Sequence, residues 1–294
     1  MQKVTHSEYI AQKKPLAKQL LAKLNEKYQY ASVLITDNYE KGYRASRSGV
    51  AISATNAFGG KGMIVKVYDG KGYAEYSTNE ITAENLPEIE REIEQQLMNP
   101  ANFIPEGTEE AEYKCISDEP CTLCEATDYE IHPREVGDEK LIETVTALRE
   151  KAVKADERIL DAITGFNYQE YHKLFLSANR ELEQSVLYST GIMALVAAKG
   201  EEIKQSFRGF SNLGGAELLD KMESAIPQCV KTVTDLLNAE PMEPGTYECV
   251  CTPEVTGMIV HEAFGHGVEM DMFVKDRACL LYTSPSPRDR QKSR

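Results

Sequence analysis

No run of eighteen apolar residues occurs in the chain, which excludes a conventional membrane-spanning helix. The N-terminal segment MQKVTHSEYIAQKKPLAKQL lacks the apolar core of a secretory signal, so a cytoplasmic location is expected. Positive charge is scarce. The 33 Lys and Arg against 47 Asp and Glu leave a net charge of −14, which argues against nucleic acid and anionic membranes as partners. The seven cysteines are an odd number in a chain with no export signal, so no disulfide framework is expected. No GK[ST] follows the glycines of Gly209–Gly215 (GFSNLGG), which excludes a phosphate loop there and leaves a turn.

What is present predicts an α+β fold. An apolar content of 41% over 294 residues is enough for one or two domains with a sizeable core. Leu16, Leu20, Leu21 and Leu24 mark one stripe of a helix over Lys13–Tyr28. Short β-branched and aromatic runs follow at Tyr30–Asp37, Lys41–Arg47, Gly49–Thr55, Gly62–Tyr68 and Gly72–Ser77, close enough together to favour antiparallel hairpins. Helices are expected over Thr82–Leu97 and Glu139–Asp156, separated by an acidic connector with at most one short strand. Four more strands are expected at Ile159–Asn167, Gln169–Ser177, Glu183–Ala198 and Glu201–Phe210, the third bending at Gly191. A helix over Ala216–Asn238, kinked or split by Pro227, closes this part. Residues 1–238 are thus read as an α/β domain with a mixed or antiparallel sheet and flanking helices, and 239–245 as a linker. Residues 246–279 open a second domain with a strand, Thr246–Cys251, feeding a helix.

That helix carries the chemistry. Thr252–Asp271 reads TPEVTGMIVHEAFGHGVEMD and places Glu262 beside His261, with His266 five residues after the first histidine. The spacing is HExxxH, one residue longer than the zinc-peptidase HExxH. Positions five apart in a regular α-helix lie about 140° apart around the axis, so a shared metal needs a local loosening. A π-type turn would supply it, and Gly265 offers the backbone freedom. Thr252 suits an N-cap, Pro253 a first helical position, and the apolar residues Val255, Met258, Ile259, Ala263 and Phe264 predict a helix buried on most sides. A cation shared by His261, Glu262 and His266 is the economical explanation for such a group in apolar surroundings, with Glu269 and Asp271 as a following acidic cluster. The alternative is a pair of hydrogen-bonded core histidines.

The segment PEVTGMIVHEAFGHGVEMD resembles the active-site helix of the TldD/PmbA metallopeptidases, in particular the TldD-like catalytic branch. The resemblance is specific over about Gly245–Ala278 and architectural before it. It implies zinc (Zn2+) held by His261 and His266, Glu262 as the base that activates water, and a third ligand, a cysteine, further downstream than this chain extends. It implies a truncated, mainly β C-terminal domain and a homo- or heterodimer with a related subunit. It also implies a chamber admitting peptide or unfolded polypeptide, which fits a sheet edge that takes the substrate as an added strand. The function expected is zinc-dependent peptide hydrolysis, with this chain an incomplete, weakly active or inactive fragment. A non-catalytic partner subunit of the same architecture is the alternative, and an unrelated α/β protein with structural histidines is a third reading.

Two further features stand apart. Cys115, Cys121 and Cys124 form a C-x5-C-x2-C cluster, expected to be ordinary loop or strand-edge thiols; the alternative is a redox pair or a metal site with His132 as the nearest fourth ligand. Cys249 and Cys251 are read as core thiols, and Cys279 has no assigned role. Residues 280–294 (LYTSPSPRDRQKSR from Leu281) are basic and aperiodic in an acidic chain, and are expected not to be native.

Overall fold

The structure, a computed structural model, describes residues 1–54, 60–98 and 117–269. Thr55, Cys115, Asp271, Cys279, the middle of the acidic connector and the basic tail lie outside the described residues. The chain divides into two units, Met1–Ala239 and Glu240–Arg294.

The first unit is an α+β fold built on one large sheet. Its strands are β2 (Tyr30–Ser46), β3 (Gly49–Ala54), β4 (Lys61–Tyr68), β5 (Tyr73–Thr78), β6 (Cys121–Ala126), β8 (Ile159–Ser177), β9 (Arg180–Lys199) and β10 (Glu202–Leu213). The order is β10-β9-β8-β2-β4-β5, with β3 on β2 and β6 on β9. Every pairing is antiparallel except that of β6 with β9. A separate ribbon joins β1 (Gln2–Lys3) to β7 (Asp128–Tyr129).

Several elements are longer than their local sequence predicts. Tyr30–Asp37 and Lys41–Arg47 form one continuous strand, and so do Ile159–Asn167 and Gln169–Ser177. The two pair with each other from Ser32↔Ser177 to Ala45↔Thr164, so the ladder carries each chain through the polar residues that look like turns. Residues 209–213, expected in a turn, continue β10 by pairing with β9 as far as Leu213↔Tyr188.

The glycine of β9 has a different use from the bend expected of it. A Cβ on Gly191 would overlap the buried Met222 Sδ, so the glycine admits a helix to the sheet. That helix, α5 (Leu218–Leu236), runs unbroken through Pro227.

Helix α1 (Glu8–Lys27) begins five residues before its apolar stripe suggests, because Ser7 caps it by accepting from the Ile10 amide at 3.1 Å. With α2 (Leu86–Met98) it covers one apolar cluster that includes Ile35, Val65 and Leu174. The helices α4 (Asp138–Lys154) and α5 contact the other part of the sheet, over a cluster that includes Tyr43, Phe166 and Leu187.

Between these two clusters the sheet turns polar. The buried even positions of β8 run Phe166, Tyr168, Glu170, His172, Leu174, Leu176, so a carboxylate and an imidazole separate the two apolar pairs. The one-turn helix α3 (Pro133–Val136) brings His132 and Arg134 to Glu170 at this seam.

The second unit contains α6 (Pro253–Val260) and the turns that continue it. Two expectations are corrected here. Residues 246–251 form no strand, since no described segment of this unit pairs with them, and the thiols of Cys249 and Cys251 are exposed instead of core. The helix is also exposed instead of buried on most sides, with Met258 67% and Phe264 51% accessible. Among the described residues its unit offers no strand or second helix for those side chains to pack against.

Candidate metal centre

Thr252 occupies the N-cap of α6 in an extended conformation, and Pro253 takes the first helical position, where its missing N–H costs nothing. The α-helix stops at Val260. His261–Gly265 then forms a π-turn, closed by the His266 amide donating to the His261 carbonyl, and His266–Val268 tightens into a 3-10 turn. The loosening that a five-residue histidine spacing requires is therefore present at the motif itself.

Gly265, however, is not what permits it. Its φ of −56° and ψ of −52° are helical, and a Cβ there would make ordinary contacts with His261 Nδ1 at 3.7 Å and Val260 O at 3.8 Å.

The turn brings the three expected side chains together. One donor atom from each of His261, Glu262 and His266 lies within 4.8 Å of the others, close enough together for the group to be able to hold a metal ion. The two imidazole centroids are 4.5 Å apart at 68°, and His266 Nε2 stands 3.7 Å from Glu262 Oε2. All three side chains are exposed.

His266 Nδ1 lies 2.6 Å from Glu269 Oε1. This hydrogen bond, with the carboxylate's charge and that of Glu262 behind it, raises the imidazole above its ordinary titration range. In the neutral ring it assigns the proton to Nδ1 and leaves the Nε2 lone pair for a cation. Glu269 was legible as part of an acidic cluster. Its specific partner follows from its i+3 spacing to His266.

Two imidazoles with an adjacent carboxylate are a donor set that zinc takes, so the residues present fit a zinc ion. Of the thiol cluster weighed upstream as an alternative, Cys115 lies outside the described residues, and Cys121 and Cys124 do not meet His132. Cys121 and Cys124 lie on β6, while His132 caps α3 through its Nδ1 and places Nε2 3.6 Å from Glu170 Oε1.

No family model matches the chain. It is 31% identical over 104 residues to a metalloprotease of Archaeoglobus fulgidus, a match covering 35% of this chain and 24% of that protein. It is also 31% identical over 87 residues to a metalloprotease of Methanothermobacter thermautotrophicus, covering 29% and 19% respectively. Among solved structures, a putative modulator of DNA gyrase from Bacteroides thetaiotaomicron aligns with a TM-score of 0.64 at 16% identity, over 86% of this chain and 56% of that one. TldE from Thermococcus kodakarensis aligns with a TM-score of 0.53 at 13% identity, over 74% and 47%. These likenesses establish the α+β fold. The matches span at most a quarter of the curated relatives and about half of the solved chains. No helix among the described residues is long and apolar enough to cross a membrane.

Proposed function

We propose that the chain is part of a zinc-dependent metallopeptidase of the TldD type, which hydrolyses peptides or unfolded polypeptide segments. The observation that carries this reading is the convergence of His261, Glu262 and His266 on one π-turn. The similarity to two archaeal metalloproteases also supports it. The same reading has the protein act in the cytoplasm as a homo- or heterodimer with a related subunit, and has an extended peptide add to a sheet edge.

In this reading His261 and His266 hold the zinc, together with a third protein ligand outside the described residues. Zinc bound there supplies Lewis acidity, lowering the pKa of water toward about 7 and polarising a peptide carbonyl. Glu262 accepts the proton of the attacking water on a carboxylate oxygen and delivers it to the departing amine. Glu269 holds the His266 ring in the tautomer that leaves Nε2 free to bind.

The test uses the protein at its full natural length, comparing Glu262→Gln with His261→Ala by zinc content after dialysis and by peptide cleavage. The peptidase reading expects Glu262→Gln to keep zinc and lose cleavage, and His261→Ala to lose both. Unchanged turnover in Glu262→Gln would overturn it. A non-catalytic subunit would instead show no cleavage attributable to this site in the unmodified protein.

A further inference from the structure

Three of the five histidines lie outside the metal centre, and two of them belong to one hydrogen-bonded series in the first unit. His6 precedes the cap of α1, Cys124 lies on β6, Ser185 on β9 and His172 directly opposite Ser185 on β8. Cys124 Sγ is 3.4 Å from His6 Nε2. His6 Nδ1 is 3.0 Å from Ser185 Oγ, and Ser185 Oγ is 2.9 Å from His172 Nδ1. His172 Nε2 faces Glu170 Oε2 at 3.8 Å.

Glu170 sets the direction of this series. It is 8% exposed, and among the described residues its Oε1 accepts no hydrogen bond, although Arg134 Nε forms an ion pair with it at 2.6 Å. Its carboxylate favours the proton of His172 on Nε2, which leaves Nδ1 to accept from the Ser185 hydroxyl. Ser185 Oγ then accepts from His6 Nδ1–H, a tautomer also favoured by Glu183 Oε1 at 3.7 Å. Both His172 Nδ1 and His6 Nε2 are then unprotonated, but His172 Nδ1 is engaged by the Ser185 hydroxyl, whereas His6 Nε2 faces the thiol. Cys124 is exposed, so the sulfur at the end of the series is open to reagents.

We infer that Cys124 is a reactive thiol with His6 as its base, and that its substrate class is the low-molecular-weight disulfide. In the step, His6 Nε2 takes the Sγ proton and the sulfur attacks one sulfur of the disulfide. The Cys124–S bond forms as the reagent's S–S bond breaks, and the departing thiolate collects the proton from His6. The mixed disulfide is the product, and no electrons are left over. Ser185 and His172 are positioning residues, which hold His6 in the basic tautomer without touching the sulfur.

The chain contains its own reference. Cys121 is exposed, lies three residues away on the same strand, and has no imidazole partner among the described residues. The experiment treats the protein with 2-hydroxyethyl disulfide at neutral pH and follows each cysteine by mass spectrometry, using fragment ions that separate Cys121 from Cys124. Cys124 is expected to react about tenfold faster than Cys121. His6→Gln should bring the two rates together, and Ser185→Ala should reduce their ratio part of the way. Buried Cys229 reports on folding in the same digest, since it stays unmodified while the first unit is intact. Equal rates in the unmodified protein overturn the inference. So does an undiminished preference for Cys124 in His6→Gln with Cys229 still protected. If His6→Gln exposes Cys229, the wild-type ratio and Ser185→Ala decide.

Discussion

The amide of His266 donates to the carbonyl oxygen of His261, five residues back, and the two imidazole centroids stand 4.5 Å apart. A regular helix would turn these side chains about 140° from each other. One altered backbone hydrogen bond thus converts a helix-face mismatch into a convergent pair, with Glu262 within reach of both rings.

Gly265→Ala is expected to leave this pair intact. The residue has helical dihedrals and room for a Cβ, and alanine favours helical backbone by about 1 kcal/mol over glycine. Zinc affinity should change by less than about threefold, which corresponds to well under 1 kcal/mol. A chelator competition titration checks this, and a large loss would show that the π-turn depends on the glycine.

Glu269→Ala is expected to weaken zinc binding by about tenfold or more, the usual scale for removing a carboxylate that orients a ligating histidine. The His266 ring would lose the 2.6 Å partner of its Nδ1 and rotate freely. The same titration measures it. An unchanged affinity would reduce Glu269 to an incidental neighbour.

Gly191→Ala and Gly209→Ala separate packing from strand propensity. A Cβ on Gly191 meets the buried Met222, whereas one on Gly209, its neighbour's partner across the β9–β10 ladder, meets nothing within 4 Å. Overpacking should cost the first about 1–3 kcal/mol in urea unfolding. The second should be neutral or slightly stabilising. Equal effects would mean that α5 does not rest on Gly191.

The convergence of His261, Glu262 and His266 was legible because they are close in sequence, so spacing alone states both the mismatch and the π-turn that relieves it. The hairpin region was legible in type but not in length. Residues 38–40 and Tyr168 are read as breaks in isolation, and pairing between β2 and β8 carries the strands through them. Burial of α6 was misread for the opposite reason, since an apolar run states a preference that only a packing partner can satisfy. His6, His172 and Ser185 had no local signal, and Cys124 stood out only as a member of its cysteine cluster. They meet because β6 pairs parallel to β9, placing Cys124 opposite Glu183, and because α1 starts beside that seam. Such a constellation is a property of topology, which periodicity does not encode.

Glu170 makes the stability of the first unit pH-dependent in a stated direction. Burial pushes its carboxyl upward, but the His172 contact and the charges of Arg134 and His132 outweigh that and hold it below the usual carboxylate range. A depressed native value means that the unfolded chain binds more protons near the unfolded pKa of about 4.3. The stabilisation is therefore fully present above that value and disappears as pH falls through the lower native one. Glu170→Gln cannot titrate, and it leaves Arg134 and the two imidazoles without their shared anion. At pH 7 the variant should be less stable by about 2 kcal/mol, the scale of a lost buried charged hydrogen-bonding group. Below about pH 4 the gap should close, as the wild-type carboxyl becomes protonated and the two side chains become alike in charge. Urea unfolding of both proteins at pH 7 and across the acid range measures the gap directly. A gap that stays constant down to about pH 3 would show that the carboxyl is not the source of the difference.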